Sequence, residues 1–72
     1  MEEVLYTVNE VSKLLKTNTS YVYELIKKGF LPALKLGSLK IRKSTLLIFL
    51  AEHEGKDLTD LSNVKDLENE RS

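Results

Sequence analysis

The sequence predicts a mainly α-helical fold in which three short helices are combined with one small β-hairpin. Two observations carry this prediction. Apolar residues recur at helical spacing in three stretches, which begin near residues 8, 19 and 45. Between the second and third stretches, apolar and basic residues alternate on both sides of a Gly-Ser pair, which is typical of a hairpin with a two-residue turn. Because the chain has 72 residues, it has room for one small domain.

The first helix is predicted to begin at Val8. Thr7 and Glu10 have the spacing of a capping box, in which the threonine hydroxyl accepts the Glu10 amide and the glutamate carboxylate accepts the Thr7 amide. Val8, Val11 and Leu15 then fall on one stripe of the helix. We expect that stripe to face the core.

A second helix is predicted after a break of about three residues. Asn18 is a suitable N-cap because its side chain can satisfy an amide of the first turn, and Gly29 supplies the left-handed residue that ends many helices. Val22, Leu25 and Ile26 form its inward face. Two short helices joined in this way are what a helix-turn-helix requires, although ordinary helical hairpins have the same connection.

The opposite face of the second helix is small, polar and basic. At 100° per residue it is centred on Ser20 and Lys27, and Tyr23, Glu24 and Lys28 lie beside them. A face of this composition can contact a polar partner.

The hairpin is predicted to turn at Gly37 and Ser38 and to pair Lys35 with Lys40. Strict alternation would put these two lysines and Arg42 on one face and all the apolar residues on the other. Like charges directly opposite each other destabilise a strand pair by up to about 1 kcal/mol. A hairpin that keeps both lysines is therefore either well solvated or neutralised by an anionic partner, and we favour the second.

A third helix is predicted to start at Ser44 or Thr45 and to run to about His53. Its inward stripe is expected to consist of Leu46, Phe49 and Leu50. Leu47 and Ile48 point elsewhere, so we expect them to pack beneath the hairpin, under the tail or against a second copy of the chain.

The predicted domain spans residues 1–54, and residues 55–72 are expected to form a polar, largely disordered C-terminal tail with some helical tendency. Leu58, Leu61, Val64 and Leu67 recur every three residues in this tail. That spacing drifts around a helix instead of forming one stripe, and the composition is polar and mildly acidic.

The overall charge of zero conceals a strong separation of charge along the chain. Eight basic residues and one acidic residue, Glu24, lie between Val11 and Lys43, whereas the compensating acids lie toward the two ends. The basic residues are Lys13, Lys16, Lys27, Lys28, Lys35, Lys40, Arg42 and Lys43. This separation predicts a surface that meets a polyanion.

Composition argues against several classes of protein. The chain has no cysteine and one histidine, His53, so neither a thiolate site nor a histidine cluster is expected to hold a metal, and no cofactor is predicted. No pair of carboxylates can be placed across a pocket, so an enzyme is not predicted. The start of the chain is acidic, and its longest apolar run, Leu46 to Ala51, is far shorter than the ~20 residues of a membrane span. We expect a cytoplasmic protein without a membrane segment.

The ordered string of residues closely resembles the excisionase family of DNA-binding domains, which are related to the DNA-binding portion of MerR-type regulators. The resemblance covers Leu5 to about Glu52. It rests on the combined spacing of Leu5-Tyr6-Thr7-Val8, Glu10-Val11, Leu14-Leu15, Val22-Tyr23, Leu25-Ile26, Gly29, Leu31-Pro32-Ala33, Leu36-Gly37, Ile41-Arg42 and Leu46 to Leu50.

The resemblance implies a winged helix-turn-helix with three helices plus a two-stranded wing. It also implies that the second helix enters the major groove of double-stranded DNA, that the wing meets the flanking backbone or minor groove, and that the protein bends DNA beside a tyrosine integrase. Such proteins act in a phage or mobile element, so the expected setting is a bacterial nucleoid.

Two sets of DNA-contacting residues are predicted from the resemblance together with the helix face. The base-facing residues are Thr19, Ser20, Tyr21, Tyr23 and Glu24. The phosphate-contacting residues are Lys27, Lys28, Lys35, Ser38, Lys40, Arg42 and Lys43. Relatives often carry arginine early in the recognition helix and at the wing tip, where this chain has Thr19, Ser20, Ser38 and Leu39. Base specificity is therefore expected either to be modest or to come from tyrosine and lysine contacts and DNA shape.

Three functions remain open on the sequence. The first is an excisionase, or recombination directionality factor, which is a monomer in solution or self-associates weakly on DNA. The second is a small MerR-like transcriptional regulator with the same fold. The third is a protein-interaction module in which Leu47, Ile48, Leu58 and Leu61 contact a partner.

Overall fold

The computed structural model describes residues 4–67, which form three helices and five short strands. Their order along the chain is β1 (Leu5–Thr7), α1 (Val8–Leu14), α2 (Thr19–Lys27), β2 (Leu34–Leu36), β3 (Ser38–Arg42), α3 (Lys43–Glu52), β4 (Lys56–Asp57) and β5 (Lys65–Asp66). The small helical domain predicted from the sequence is confirmed. Within these residues, no helix is long and apolar enough to cross a membrane.

The core is built from side chains of all three helices, of β3 and of the segment after α2. Its buried apolar residues are Val8, Val11, Val22, Leu25, Leu31, Ile41, Leu46 and Phe49. Ser12 is buried among them, and its hydroxyl donates a hydrogen bond to the Asn9 carbonyl at 2.7 Å. Since the small side chain satisfies its polar atom locally, α1 and α2 can pack closely there.

Both predicted N-caps are present. The Thr7 hydroxyl accepts a hydrogen bond from the Glu10 amide at 3.1 Å, and the Glu10 carboxylate accepts one from the Thr7 amide at 2.8 Å, which completes the capping box. At α2, the Asn18 side chain accepts a hydrogen bond from the Tyr21 amide at 2.8 Å. The starts of α1 and α2 therefore agree with the prediction.

The connection between α1 and α2 is a tight turn. The Thr17 amide donates to the Ser12 carbonyl at 2.8 Å and the Lys16 amide donates to the Lys13 carbonyl at 3.2 Å. These two bonds are the pair that defines a Schellman motif, and Lys16 takes the left-handed conformation that the motif requires, with φ 57°. The turn redirects the chain into α2 within four residues.

The carboxyl end of α2 has the same motif with a glycine at the left-handed position. Gly29 has φ 86°, as predicted for a helix terminator. The Phe30 amide donates to the Leu25 carbonyl at 2.9 Å and the Gly29 amide donates to the Ile26 carbonyl at 3.1 Å. The two helices of the helix-turn-helix therefore end by the same device.

The hairpin belongs to a three-stranded antiparallel sheet of order β1-β3-β2, so the prediction of a two-stranded unit was incomplete. β1 pairs with β3 through Leu5 and Arg42, and through Tyr6 and Ile41. The Lys43 amide continues the contact by donating to the Val4 carbonyl at 2.9 Å. A three-residue strand has too few residues to show an alternating pattern, which is why the sequence did not reveal it.

The register of the hairpin differs from the prediction by one residue. Lys35 is opposite Leu39, and Lys40 is opposite Leu34, so the two lysines do not face each other. β3 is held by the burial of Ile41 and by its pairing with β1, and β2 follows with the chain reversing at a left-handed Gly37, φ 82°. Because directly opposite residues share a face, a one-residue shift moves every side chain of β2 to the other face.

The helix α3 begins at Lys43, slightly earlier than predicted, and Arg42 at its N-cap makes no side-chain capping bond. Leu46 and Phe49 face the core as expected. The prediction that Leu50 faces inward was wrong, because its side chain is 44% exposed. α3 is apolar around most of its circumference, so the amino-acid pattern could not identify the inward stripe.

The segment after α3 follows a defined path as far as Leu67, in contrast to the largely disordered tail expected from its composition. β4 and β5 pair antiparallel, and the Lys56 ammonium forms an ion pair with the Asp66 carboxylate. Leu58 and Leu61 pack against the core. These two leucines belong to an irregular segment that lies against the helices. Helical and strand periodicities do not predict a segment of this kind. The rest of the predicted tail, residues 68–72, lies outside the described residues.

Candidate nucleic-acid interface

The outer face of α2 is open along its whole length. Its polar and basic side chains are exposed, as the helical spacing predicts, and they are Ser20, Tyr23, Glu24, Lys27 and Lys28. Thr19, in the first turn, is half-buried. Val22 and Leu25 fix the rotation of the helix because both are fully buried on its opposite side. The packing of α1 against α2 therefore leaves this face directed away from the core.

Within that face, an exposed stripe consists of Ser20, Tyr23 and Lys27. They are spaced at i, i+3 and i+7, so they lie above one another along the helix. The stripe offers a short hydroxyl, an aromatic ring with a phenolic hydroxyl, and an ammonium group. Hydroxyl and ammonium groups can bond to base edges and phosphates in a major groove, which is wide enough to admit an α-helix.

Tyr21 lies elsewhere than the sequence analysis expected. Its ring packs against the core, and its hydroxyl donates a hydrogen bond to the Leu58 carbonyl at 2.6 Å. Burial raises the pKa of this hydroxyl above the 10.0 usual for tyrosine, and the nearby Asp57 carboxylate adds to the rise. Tyr21 therefore fastens the C-terminal segment to α2. Its side chain lies off the open stripe because it is rotated by one helical residue from Ser20.

A groove of about 290 Å³ runs between α2 and the C-terminal segment. Tyr21, Glu24 and Lys28 line its helix side, and residues 59–62, which include Asp60, line the other. The basic face of α2 therefore has an acidic border on one flank. A polyanion can reach the flank that carries Ser20 and Lys27 with less repulsion than the flank beside Asp60.

The C-terminal border of the interface is the part that sequence reasoning missed. Its turns do carry a local signal. The Asp57 carboxylate accepts the Thr59 amide at 2.9 Å and the Asp60 carboxylate accepts the Ser62 amide at 3.0 Å. An aspartate that bonds the amide two residues later is an Asx turn, so the pattern Asp-x-Thr followed by Asp-x-Ser could have indicated an ordered segment.

The hairpin distributes its basic residues over both faces of the ribbon. Ser38, Lys40 and Arg42 alternate along β3 on one face, and the Lys40 ammonium donates a hydrogen bond to the Ser38 hydroxyl at 2.6 Å. Lys35 is opposite Leu39, so it belongs to the other face. The predicted single basic face was wrong for this reason, and the exposed leucines of β2 share the face of Lys40.

The remaining predicted residues lie on other parts of the molecule. Lys43 is the first residue of α3, next to Val4 of the N-terminal segment. Leu47 and Ile48 are exposed on α3, so neither the hairpin nor the described part of the tail covers them. Leu58 and Leu61, predicted to contact a partner, are instead half-buried against the chain's own core.

Comparison with known proteins identifies the fold. A family model described as a helix-turn-helix domain matches residues 5–54, which includes β1 and all three helices. An uncharacterized protein, YvgK, of Bacillus subtilis strain 168 is 56% identical over 32 residues. The match covers 44% of this chain and 10% of YvgK, so the chain aligns with about a tenth of the length of that relative. No solved structure matches the chain.

The match and the structure agree on a helix-turn-helix. The matched region contains the capped α1, the tight turn at Lys16 and the exposed polar face of α2, which are the parts that a helix-turn-helix uses to meet DNA. Domains of this type are typically not enzymes. The chain belongs to the helix-turn-helix domain family, a class of domain that typically binds DNA.

Proposed function

We propose that this chain is an excisionase-type accessory protein, which binds and bends double-stranded DNA beside the site used by a tyrosine integrase of a phage or mobile element. The observation that carries the proposal is the open, basic face of α2 in a helix-turn-helix whose residues resemble those of excisionases over Leu5 to about Glu52. The concentration of basic residues in the middle of a neutral chain supports the same conclusion.

The proposed base contacts come from the first two turns of α2. Ser20 and Tyr23 lie on the accessible stripe, with Thr19 and Glu24 at its edges. Hydroxyl groups can donate to or accept from base edges, and a glutamate carboxylate can accept from the amino group of cytosine. Tyr21 is left out of this set because its hydroxyl is bonded to the Leu58 carbonyl.

The proposed phosphate contacts come from α2 and from the hairpin acting as a wing. Lys27 and Lys28 are exposed at the carboxyl end of α2. In the hairpin, Lys35 lies on one face, and Lys40 and Arg42 lie on the other. A wing with cations on both faces suits an approach in which the edge of the wing points toward the DNA, because each face of the wing then meets the phosphates of one DNA strand.

Salt dependence tests this contact set directly. We expect the logarithm of the association constant, measured by fluorescence anisotropy with a mixed-sequence 30-base-pair duplex, to fall with the logarithm of salt concentration with a slope of about −4 to −5, since about five phosphates are neutralised. Lys27→Gln should reduce the slope by about one, because one phosphate contact is lost.

The matched control is Lys65→Gln, which removes the same charge from β5, in the C-terminal segment. It should leave the slope unchanged. A slope near zero for the native chain, or equal losses for the two variants, would show that the assigned surface does not carry binding.

The accessory role is tested separately from DNA binding. Selection of bound duplexes from a random library, followed by footprinting on the DNA of the element, should place the site next to an attachment site. A gel assay with the site at permuted positions should show bending. A footprint at a promoter, with no effect on integrase-dependent excision, would reject the accessory role in favour of transcriptional regulation and leave DNA binding intact.

A further inference from the structure

We propose that the C-terminal segment limits the affinity of this chain for DNA, with Asp60 as the residue that repels phosphate and Tyr21 as the residue that holds Asp60 in position. The part of the segment that acts is residues 57–62, which we call the acidic border. This role rests on the proposed function, since it modifies DNA binding by the adjacent face of α2.

The acidic border is held against α2 at more than one point. The Tyr21 hydroxyl donates a hydrogen bond to the Leu58 carbonyl at 2.6 Å. Leu58 and Leu61 both pack against the core. Asp60 lies between these two leucines in the chain, so their packing keeps it close to the helix.

The backbone around Asp60 is fixed by its own hydrogen bonds. The Asp60 carboxylate accepts the Ser62 amide at 3.0 Å, and the Asp60 carbonyl accepts the Asn63 amide at 2.9 Å. The turn before it is closed in the same way, because the Asp57 carboxylate accepts the Thr59 amide at 2.9 Å. A bond from a neutral amide leaves the charge of a carboxylate in place. Asp60 therefore brings a negative charge to a defined position.

That position is the groove of about 290 Å³ beside α2. One ammonium group, that of Lys28, and two carboxylates, those of Glu24 and Asp60, line this groove. A groove of this volume is narrower than the ~10 Å over which charges interact at 0.1 M salt. A phosphate that approaches Lys28 is therefore repelled by both carboxylates. Of the two, only Asp60 comes from outside the helix.

The two lysines at the end of α2 are consequently unequal. Lys27 lies on the exposed stripe with Ser20 and Tyr23, whereas Lys28 shares its groove with Asp60. We expect Lys28→Gln to weaken DNA binding less than Lys27→Gln does, because Asp60 already offsets part of the attraction of Lys28 for phosphate. Removal of the Asp60 charge should make the two losses similar.

The central experiment compares two Asp→Asn variants in the anisotropy assay with the same mixed-sequence duplex. Asp60→Asn should bind about two- to fivefold more tightly than the native chain at low salt, and it keeps the oxygen that accepts the Ser62 amide. The gain should narrow as salt rises above about 0.1 M, because screening shortens the range of the charge. The matched control is Asp66→Asn, which removes the same charge from β5, where the carboxylate pairs with Lys56. It should leave affinity unchanged.

The positioning role of Tyr21 has a readout of opposite sign to a structural role. Tyr21→Phe removes the bond to the Leu58 carbonyl, so the acidic border can move away from α2. We expect this variant to bind DNA about twofold more tightly although the folded chain is less stable. In the Asp60→Asn background the same substitution should give no further gain, because the charge that Tyr21 positions is absent.

A double-mutant cycle tests whether Asp60 acts at Lys28. The gain from Asp60→Asn should be smaller in a chain that also carries Lys28→Gln, because phosphate is then no longer drawn to this flank. An equal gain with and without Lys28 would contradict the assigned position of Asp60. Thermal melts of each variant, followed by circular dichroism, establish that the compared chains are folded.

Failure of this role and failure of the proposed function give different results. If the native chain binds DNA and Asp60→Asn binds equally well, the role is wrong and the proposed function stands. Equal gains in Asp60→Asn and Asp66→Asn would also overturn the role, because total charge alone would explain them. Unchanged or weaker binding by Tyr21→Phe would remove Tyr21 from it. Absence of DNA binding in the native chain and in every variant would reject the proposed function and this role with it.

Discussion

Lys16 occupies a backbone conformation that is unfavourable for any residue with a side chain. Its φ of 57° lies in the left-handed region, and the Schellman motif at the end of α1 requires that conformation there. A residue other than glycine loses roughly 1 kcal/mol in the left-handed region. The chain uses Gly29 for the equivalent position after α2, so the two helix ends provide a direct comparison.

We predict that Lys16→Gly is more stable than Lys16→Ala by about 1 kcal/mol in free energy of unfolding, since glycine alone relieves the left-handed strain. Both substitutions remove the same charge, so the difference between them isolates the backbone term. Urea unfolding followed by circular dichroism measures it. Equal stability of the two variants would mean that residue 16 adopts another conformation in solution.

The Tyr21 hydroxyl ties α2 to the C-terminal segment by its bond to the Leu58 carbonyl. We predict that Tyr21→Phe lowers the free energy of unfolding by about 1 kcal/mol, because one partly buried hydrogen bond is lost and the ring is retained. The exposed residue Tyr23 offers the matched control, and Tyr23→Phe should leave stability nearly unchanged.

The pH dependence of this bond has a definite sign. The pKa of Tyr21 is raised in the folded chain by burial and then by Asp57, so the folded state holds the phenolic proton more tightly than the unfolded state. The contribution is complete below pH 10 and is lost as pH rises through the raised folded value. Stability of the native chain should therefore fall more steeply above about pH 10 than stability of Tyr21→Phe. Identical alkaline profiles would contradict the contact.

At the level of elements, the hairpin register determines which charges share a face. Lys35 is opposite Leu39 in the structure, whereas a two-residue turn at Gly37 and Ser38 would place it opposite Lys40. The chain has no cysteine, so an introduced pair can report on the register without interference. Directly opposite residues in an antiparallel pair have Cα atoms close enough for a disulfide and share a face, whereas residues offset by one position have side chains on opposite faces.

We predict that a variant with Lys35→Cys and Leu39→Cys forms an intrachain disulfide readily under mild oxidation. The matched variant with Lys35→Cys and Lys40→Cys should oxidise more slowly, because its sulfur atoms start on opposite faces of the ribbon. Mass spectrometry of the oxidised monomer measures both rates. Faster disulfide formation in the second variant would instead support the two-residue turn, in which Lys35 lies on the same face as Lys40.

For the molecule as a whole, the C-terminal segment extends the core beyond the helix-turn-helix. Leu58 packs against the core, whereas Leu67 is 44% exposed. We predict that Leu58→Ala lowers the free energy of unfolding by about 2 kcal/mol through lost burial and the space left behind, and that Leu67→Ala changes it little. Chemical unfolding of the two variants gives the comparison. Equal effects would indicate that the segment does not dock in solution.

The position of this segment also affects how DNA can approach. Asp60 borders the groove beside Glu24 and Lys28, so one flank of α2 is less favourable to phosphate than the other. The opposite flank, with Ser20, Tyr23 and Lys27, is therefore the side that we expect DNA to meet first.

Local signals in the sequence were sufficient for the helix-turn-helix. The Thr7 and Glu10 capping box, the Asn18 cap and the Gly29 terminator each act within a few residues, so they predict helix ends without knowledge of the fold. Helical periodicity then placed Ser20 and Lys27 on the open face, because the buried residues of α2 form one clear stripe.

Contacts between distant residues decided the rest. The register of the hairpin depends on Ile41 and on the pairing of β3 with β1, more than 30 residues earlier in the chain. Tyr21 leaves the predicted DNA face because it meets the carbonyl of Leu58, 37 residues away. Such contacts have no periodic signal in the sequence, because they form between residues that are distant along the chain. They determined which of the predicted residues stay exposed.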